Sequence, residues 1–316
     1  MTKYSLKEKQ LIFIISQPRS GSTYLQNLLS NNAEVNTCSE SWMLLNFANQ
    51  IKPALVQSKF DNTLAVGAFK EYLGKYPNFN FREAFHDFLL KLYSPMFEGY
   101  QFVVDKTPRY WEIASEITTL FPGSKVIVLH RNPIDVAKSM IKTWGFTSFK
   151  ELNMFRRDLL QGPEKLRSFS IANKDNKNVY NLSYEDLIND TPNEVQKLYN
   201  WVGIPYDASV LDTRKNDKYK GGYGDPFQNA DVNYKTVKAR TDQKGINKDF
   251  KDFLNGYANY LGTDIQKEYN GFQNIAIKNT TAFNYFMHLG DVAAESKKRR
   301  SIIWLLKKHL YELRFK

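Results

Sequence analysis

The sequence is poor in residues that build metal clusters and covalent cross-links. It has one cysteine, Cys38, so neither an internal disulfide nor a cysteine metal cluster is available. Its four histidines (His86, His130, His288 and His309) are scattered and form no H-E-x-x-H or comparable pair, so no metal site is expected. No apolar run is long enough to span a bilayer. The run near the N-terminus, in MTKYSLKEKQLIFIIS, is too short for a signal-peptide core, and no small-residue cleavage site follows it. It reads as a buried first strand of a chain kept in the cytoplasm. Acid is in deficit: 33 acidic residues face 44 basic ones, a formal charge of +11. That balance favours anionic partners, but charge alone does not rank phosphorylated cofactor, acidic glycan, membrane surface and nucleic acid.

What is present is the composition of a soluble globular protein, 42% hydrophobic and 24% charged. At 316 residues the chain approaches the upper size for one hydrophobic core. The expected organisation is a single α/β domain over residues 1–295 and a basic amphipathic helix over 296–316. Leu11 to Ser16 is a continuous apolar run, hence a buried strand. Further strands are expected at Gln101 to Val104, Lys125 to His130 and Asn178 to Leu182. Helices are expected at Tyr24 to Ser30, Ser39 to Gln50, Phe81 to Tyr93 and after Asn132, where Pro133 suits a first helical position. Ser183, with Asp186 three residues later, opens another helix. The capped stretch TPNEVQKLYNWV gives one more. Strands alternating with helices predict a P-loop-like parallel sheet flanked by helices on both faces. Ligands of such sheets sit at the carboxyl ends of the strands, so the polar exits after the first three strands should share a crevice. Thr213 to Lys251, rich in Lys, Asp, Asn, Gly and Tyr, reads as a long loop of the kind that covers a site.

The first strand runs into Gln17-Pro18-Arg19-Ser20-Gly21-Ser22-Thr23 and then a helix. Small residues let backbone N–H groups approach an anion, and the helix N-terminus adds its dipole. Ser22 and Thr23 offer hydroxyls, and Arg19 offers a charged planar fork suited to phosphate or sulfate oxygens. The plain alternative is an ordinary strand-to-helix turn capped by hydroxyls. A second constellation lies in VLHRNPIDVAKSM. Arg131 leaves a buried strand, and Ser139, about two turns into the next helix, can face the same spot. Taken alone, this reads as a surface arginine and a small helical serine.

Together the two constellations resemble the sulfotransferases that use 3′-phosphoadenosine 5′-phosphosulfate. In that family a P-[KR]-[ST]-G-[ST]-T loop after the first strand binds the 5′-phosphosulfate. A strand ending in R-[ND]-P, with a serine eight residues after the arginine, binds the 3′-phosphate. Pro18 to Thr23, then Arg131-Asn132-Pro133 and Ser139, match in order and spacing. The resemblance runs from about Leu11 to Pro205, and more faintly to Asp225. It implies cofactor contacts from Arg19, Ser20, Gly21, Ser22, Thr23, Arg131 and Ser139, adenosine 3′,5′-bisphosphate as product, and no required metal. Tyr184 matches a family tyrosine that touches the cofactor; the alternative is a core aromatic. KGGYGDP (Lys220 to Pro226) resembles a segment that closes over the 3′-phosphate, which implicates Lys220 and Gly221. Tyr219 and Pro226 depart from that pattern, and the alternative is a glycine-rich turn.

Other departures narrow the type. The small-molecule enzymes of this family carry a catalytic histidine in a K-T-H-L-P segment. Here Asp105-Lys106-Thr107-Pro108-Arg109-Tyr110 has the lysine and no histidine. It is closer to the K-[ST]-x-x-Y segment of the glycan sulfotransferases. In those, and in the tyrosylprotein sulfotransferases, a glutamate after the first helix is the base, which points to Glu40. Arg19, where other branches have lysine, points the same way. The resemblance thus implies Glu40, Lys106 and Arg19 as catalytic residues. Against this, Ser39-Glu40-Ser41 also reads as a helix-capping stretch with a solvated carboxylate, and Lys106 as a surface salt-bridge residue. His130 and His86 are rival bases that their apolar surroundings disfavour.

Two other functions remain open at this stage. One is a nucleoside-triphosphate kinase, disfavoured by the missing G-K-[ST] and the lack of an obvious magnesium carboxylate. The other is a non-catalytic basic module for membrane or acidic polymer. SKKRRSIIWLLKKHLYELRFK places Ile302, Ile303, Leu306, Leu310 and Leu313 at helical spacing with eight Lys or Arg from Lys297 to Lys316. Such a helix suits peripheral contact with an anionic membrane, or docking on the domain with a solvated basic face. The expected partner is a hydroxyl-bearing acceptor, on a glycan, a lipid alcohol or a metabolite, rather than nucleic acid.

Overall fold

A computed structural model describes residues 7–212, 246–268, 280–290 and 302–315. Its strands are β1 (Leu11–Ser16), β2 (Val35–Thr37), β3 (Phe102–Lys106), β4 (Lys125–His130) and β5 (Val179–Ser183). The longer helices are α1 (Ser22–Ser30), α2 (Asn62–Lys75), α3 (Phe81–Tyr93), α4 (Ala114–Leu120), α5 (Pro133–Trp144), α6 (Gly162–Ala172), α7 (Tyr184–Asn189), α8 (Thr191–Val202), α9 (Lys248–Glu268), α10 (Thr281–Leu289) and α11 (Ile302–Arg314). The described residues gather into two units. One comprises 7–16, 21–129 and 169–212; the other comprises 17–20, 130–168, 246–268, 280–290 and 302–315.

The first unit is built on the expected parallel sheet, in the order β2-β3-β1-β4-β5. β1 is central and fully buried, pairing in parallel with β3 and β4. Side chains alternate across it. Ile12 and Ile14 join Leu25 and Leu28 of α1 and Leu198 of α8 in one core cluster. Phe13 points the other way, with its ring centroid 6.1 Å from Tyr93 of α3 and 5.5 Å from Phe121. Helices therefore cover both faces, which is why β1 reads as an uninterrupted apolar run.

The second unit is helical. Phe253 and Tyr257 of α9, Phe283 and Phe286 of α10, and Val136 and Met140 of α5 share its core. A Cβ at Gly256 would collide with Thr280 and Phe283, so glycine lets α9 and α10 approach closely. α11 docks through Tyr311 and Phe315, whose ring centroids lie 5.5 and 5.2 Å from that of Tyr285. Lys150 adds an ion pair to Glu312 at 3.4 Å. Leu306, Leu310 and Leu313 do not take part in docking; they are 59%, 66% and 63% exposed. Among the described residues, no helix is long and apolar enough to cross a membrane.

Several boundaries differ from the sequence reading. Ser39 to Gln50 is not one helix: residues 39–43 are irregular, and short turns of helix follow at Leu44–Phe47 and Ala48–Ile51. Trp42 has φ +50°, which a continuous helix does not permit. β3 runs two residues beyond Val104, because Asp105 and Lys106, though charged, are buried and partnered. β5 is displaced by one residue, and α1 starts at Ser22 rather than Tyr24. The edge strand β2 has three residues and no readable pattern. α9 begins at Lys248, inside the stretch read as loop.

Candidate active site

The loop after β1 is divided between the units: residues 17–20 belong to the second and 21–23 to the first. In the first unit, Gly21 precedes α1 with φ +90°, and no side chain caps the helix. A Cβ there would collide with the ring of Tyr184, so only glycine fits. Tyr184 is itself buried in the core cluster around α1, a packing role beneath the loop. The uncapped N–H groups at the start of this nine-residue helix, with Ser22 and Thr23 in its first turn, are ready donors for an anion.

Lys106 of β3 joins Thr23 to Glu40 of the 40s loop. Lys106 Nζ donates to Glu40 Oε1 at 2.9 Å and to Thr23 Oγ1 at 3.4 Å. The lysine is 2% exposed. The surface salt-bridge alternative for Lys106 therefore does not describe it. The helix-cap alternative for Glu40 fails as well, because the expected helix is absent.

Behind this pair lies a cluster that the sequence reading missed. The Asp105 carboxylate is fully buried and accepts from Tyr93 OH at 2.6 Å, Tyr110 OH at 3.0 Å and Ser41 Oγ at 3.0 Å. Burial pushes its carboxyl group above the ordinary carboxylate range, while the three hydrogen bonds and Lys106 pull it back. Burial, and the charge of Asp105, hold the Tyr93 and Tyr110 phenols well above their usual range, so both remain neutral donors. Burial and the same carboxylate push the Cys38 thiol up to about 12, which makes a thiolate nucleophile unavailable at neutral pH. The only hint in the sequence was an acid beside Lys106; its three partners come from separate segments.

In the second unit, two motifs far apart in the chain meet. Arg131 Nη1 donates to the Arg19 carbonyl at 2.8 Å, and Arg19 Nε donates to Ser139 Oγ at 3.4 Å. Arg19 has φ +69°, a left-handed conformation that is uncommon outside glycine and that surrounding contacts must hold. Its guanidinium lies 5.6 Å from the Trp144 ring centroid, a cation–π partner no spacing rule indicated. Gln17 Nε2 fastens the loop to the Asp158 carbonyl at 2.7 Å. Ser20 Oγ is buried and has no hydrogen-bond partner among the described residues.

The remaining candidates fall elsewhere. His86 is held by Glu8 at 3.0 Å and Asp87 at 3.3 Å, a structural position on α3. His130 ends β4, half-buried. Lys220 and Gly221 lie outside the described residues. A cleft of about 460 Å³ in the second unit, lined by Leu160, Tyr260 and Ile265 among others, includes none of the residues named for the site.

An uncapped helix N-terminus after a glycine-tightened loop, on a parallel sheet flanked by helices, defines a protein of the P-loop-like fold class. The sequence model described as "Sulfotransferase family" matches residues 11–208, and the chain belongs to that family. It is 30% identical over 135 residues to nodulation protein NoeE of Sinorhizobium fredii (strain NBRC 101917 / NGR234), a match covering 43% of this chain and 32% of that one. An uncharacterized protein of Aquifex aeolicus (strain VF5) is 24% identical over 283 residues, covering 84% of this chain and 33% of that one. The chain thus spans about a third of the length of the curated relatives it matches. Among solved structures it is similar to a sulfotransferase domain from the curacin biosynthetic pathway, with TM-score 0.43, 21% identity, and coverage of 67% of this chain and 80% of that one.

Proposed function

We propose that the chain moves a sulfuryl group from 3′-phosphoadenosine 5′-phosphosulfate to an acceptor hydroxyl, on a glycan, a lipid alcohol or a metabolite. The observation that carries the reading is the meeting of Arg19, Arg131 and Ser139, which joins two anion-binding motifs separated by more than a hundred residues. When bound, the donor supplies an activated sulfur for in-line attack and an adenosine bisphosphate leaving group. The α1 N-terminus, with Ser20, Ser22 and Thr23, would hold the 5′ end; Arg131 and Ser139 would hold the 3′-phosphate. Glu40 takes the proton of the acceptor hydroxyl, a step worth a factor of about 10²–10⁴. Lys106, between Glu40 and Thr23, and Arg19 offset the charge that grows on the departing oxygen. A donor in such a place is worth on the order of 2.7–4 kcal/mol. Orientation of the two reactants supplies the rest.

The test of the donor is thermal. Adenosine 3′,5′-bisphosphate at a hundredfold excess over its Kd stabilises by about 2.7 kcal/mol. For a protein of this size the melting temperature should rise by about 4 °C. Adenosine triphosphate with magnesium should give a much smaller shift. No shift with the bisphosphate removes the donor assignment, and a larger one with the triphosphate returns the kinase.

A second reading concerns α11, and one observation favours it. Leu306, Leu310 and Leu313 are exposed on a helix already anchored by Tyr311 and Phe315, and Lys307 is exposed beside them. An apolar stripe edged by positive charge fits the interface of an anionic membrane. Replacing the three leucines with serine should abolish co-sedimentation with phosphatidylserine vesicles without changing the melting temperature. Unchanged sedimentation excludes the contact.

A further inference from the structure

We infer that Asp105 and Ser41 are positioning residues that tether the Glu40 loop to the end of β3; this rests on the reading of Glu40 as base. Residues 39–43 form no helix or strand, so neither fixes Glu40 in place. Yet Trp42 keeps φ +50°, a conformation that survives in a non-glycine residue only when its surroundings over-determine it.

Those surroundings can be named. Three successive backbone N–H groups of the loop donate to side-chain oxygens. Trp42 N–H binds Thr107 Oγ1 at 3.2 Å, Met43 N–H binds Ser41 Oγ at 3.1 Å, and Leu44 N–H binds Tyr110 OH at 3.1 Å. The Ser41 and Tyr110 hydroxyls can accept there because each sends its own proton to Asp105. A carboxylate only accepts, so Asp105 sets the direction of the whole network. Tyr93 supplies a third donor and leaves the buried charge well compensated.

The arrangement has a chemical consequence. Asp105, Thr107 and Tyr110 flank Lys106 in the chain. The segment that holds the loop therefore also carries the cation that meets Glu40 at 2.9 Å. Base and cation share one rigid support, which is what a proton transfer sensitive to sub-ångström placement requires. A buried carboxylate kept only for the core would have no reason to grip the residue next to Glu40.

Ser41→Ala removes one hydroxyl and little packing, so it should fold. Turnover is followed with labelled donor on the acceptor fraction that the unmodified chain labels, and donor affinity by titration with the bisphosphate. In Ser41→Ala, kcat should fall at least tenfold while bisphosphate affinity stays within twofold; Ser41→Thr, which keeps the hydroxyl, should recover most of it. Asp105→Asn should show the same split, with a larger loss. Unchanged kcat in Ser41→Ala and Asp105→Asn overturns the tether, as does a parallel loss of affinity, the mark of a merely structural role. Glu40→Gln, run beside them, separates the two claims. If it turns over normally, the base assignment fails; if it is inactive while Ser41→Ala is not, only the tether fails.

Discussion

Glu40→Gln should keep its affinity for adenosine 3′,5′-bisphosphate and lose transfer by a factor of about 10²–10⁴. The amide preserves shape and can still accept from Lys106 through its oxygen, so the contact at 2.9 Å has a replacement. What disappears is the basic site for the acceptor's proton. Because that interaction develops only in the transition state, kcat and kcat/KM should fall together while the donor's KM holds. Retained turnover would pass the role to a histidine. His86 is engaged by Glu8 and Asp87, which leaves His130 as the first alternative to substitute.

Arg131→Ala should weaken the bisphosphate about 10- to 100-fold, the range expected for a hydrogen bond to a charged group worth about 1.5–3 kcal/mol. The effect on turnover should be larger still. Arg131 also donates to the Arg19 carbonyl at 2.8 Å, and without that brace the left-handed Arg19 backbone loses a restraint. Arg131→Lys should not recover the loss, since an ammonium cannot both reach a phosphate and brace a carbonyl in the fork geometry of guanidinium. Ser139→Ala should cost less, because a neutral hydroxyl is worth about 0.5–1.5 kcal/mol. Titration calorimetry on the three variants reads these differences; unchanged affinity in Arg131→Ala would mean that the 3′-phosphate is held elsewhere.

The parts of the fold that were legible from sequence are those set by local pattern. β1 and β4 are unbroken apolar runs because the sheet is covered on both faces, and their bounds were readable directly. α3 and α5 were legible from helical periodicity and, for α5, from proline at its first position. The errors sit where tertiary contacts overrule local preference. Ser39 to Gln50 has helical spacing, but Asp105, Thr107 and Tyr110 capture the hydroxyl and amides of residues 41–44 and hold Trp42 out of helical geometry. β3 continues through Asp105 and Lys106 because each charge finds buried partners, which hydrophobicity cannot announce.

At the site, the residues carried by contiguous motifs could be named in advance, and the structure brings Arg19, Arg131 and Ser139 together. The supporting residues could not. Tyr93, Tyr110 and Ser41 converge on Asp105 from three segments. Trp144 reaches Arg19 from the far end of α5. Such convergence is a property of the folded chain rather than of any window of sequence. Tyr184 shows the opposite case. Its place after β5 was recognisable, but its packing against Gly21 became visible only once the loop was built.

The most direct test of the central claim is a double-label incubation of the purified chain with fractionated host extract. It would use donor labelled in the sulfuryl group alongside adenosine triphosphate labelled in its terminal phosphate. Sulfuryl transfer predicts that the sulfur label moves to a hydroxyl-bearing acceptor, that adenosine 3′,5′-bisphosphate forms in equal amount, and that Glu40→Gln stops both. Phosphorus label on the acceptor, or sulfur label that stays with the donor in every fraction, would contradict it.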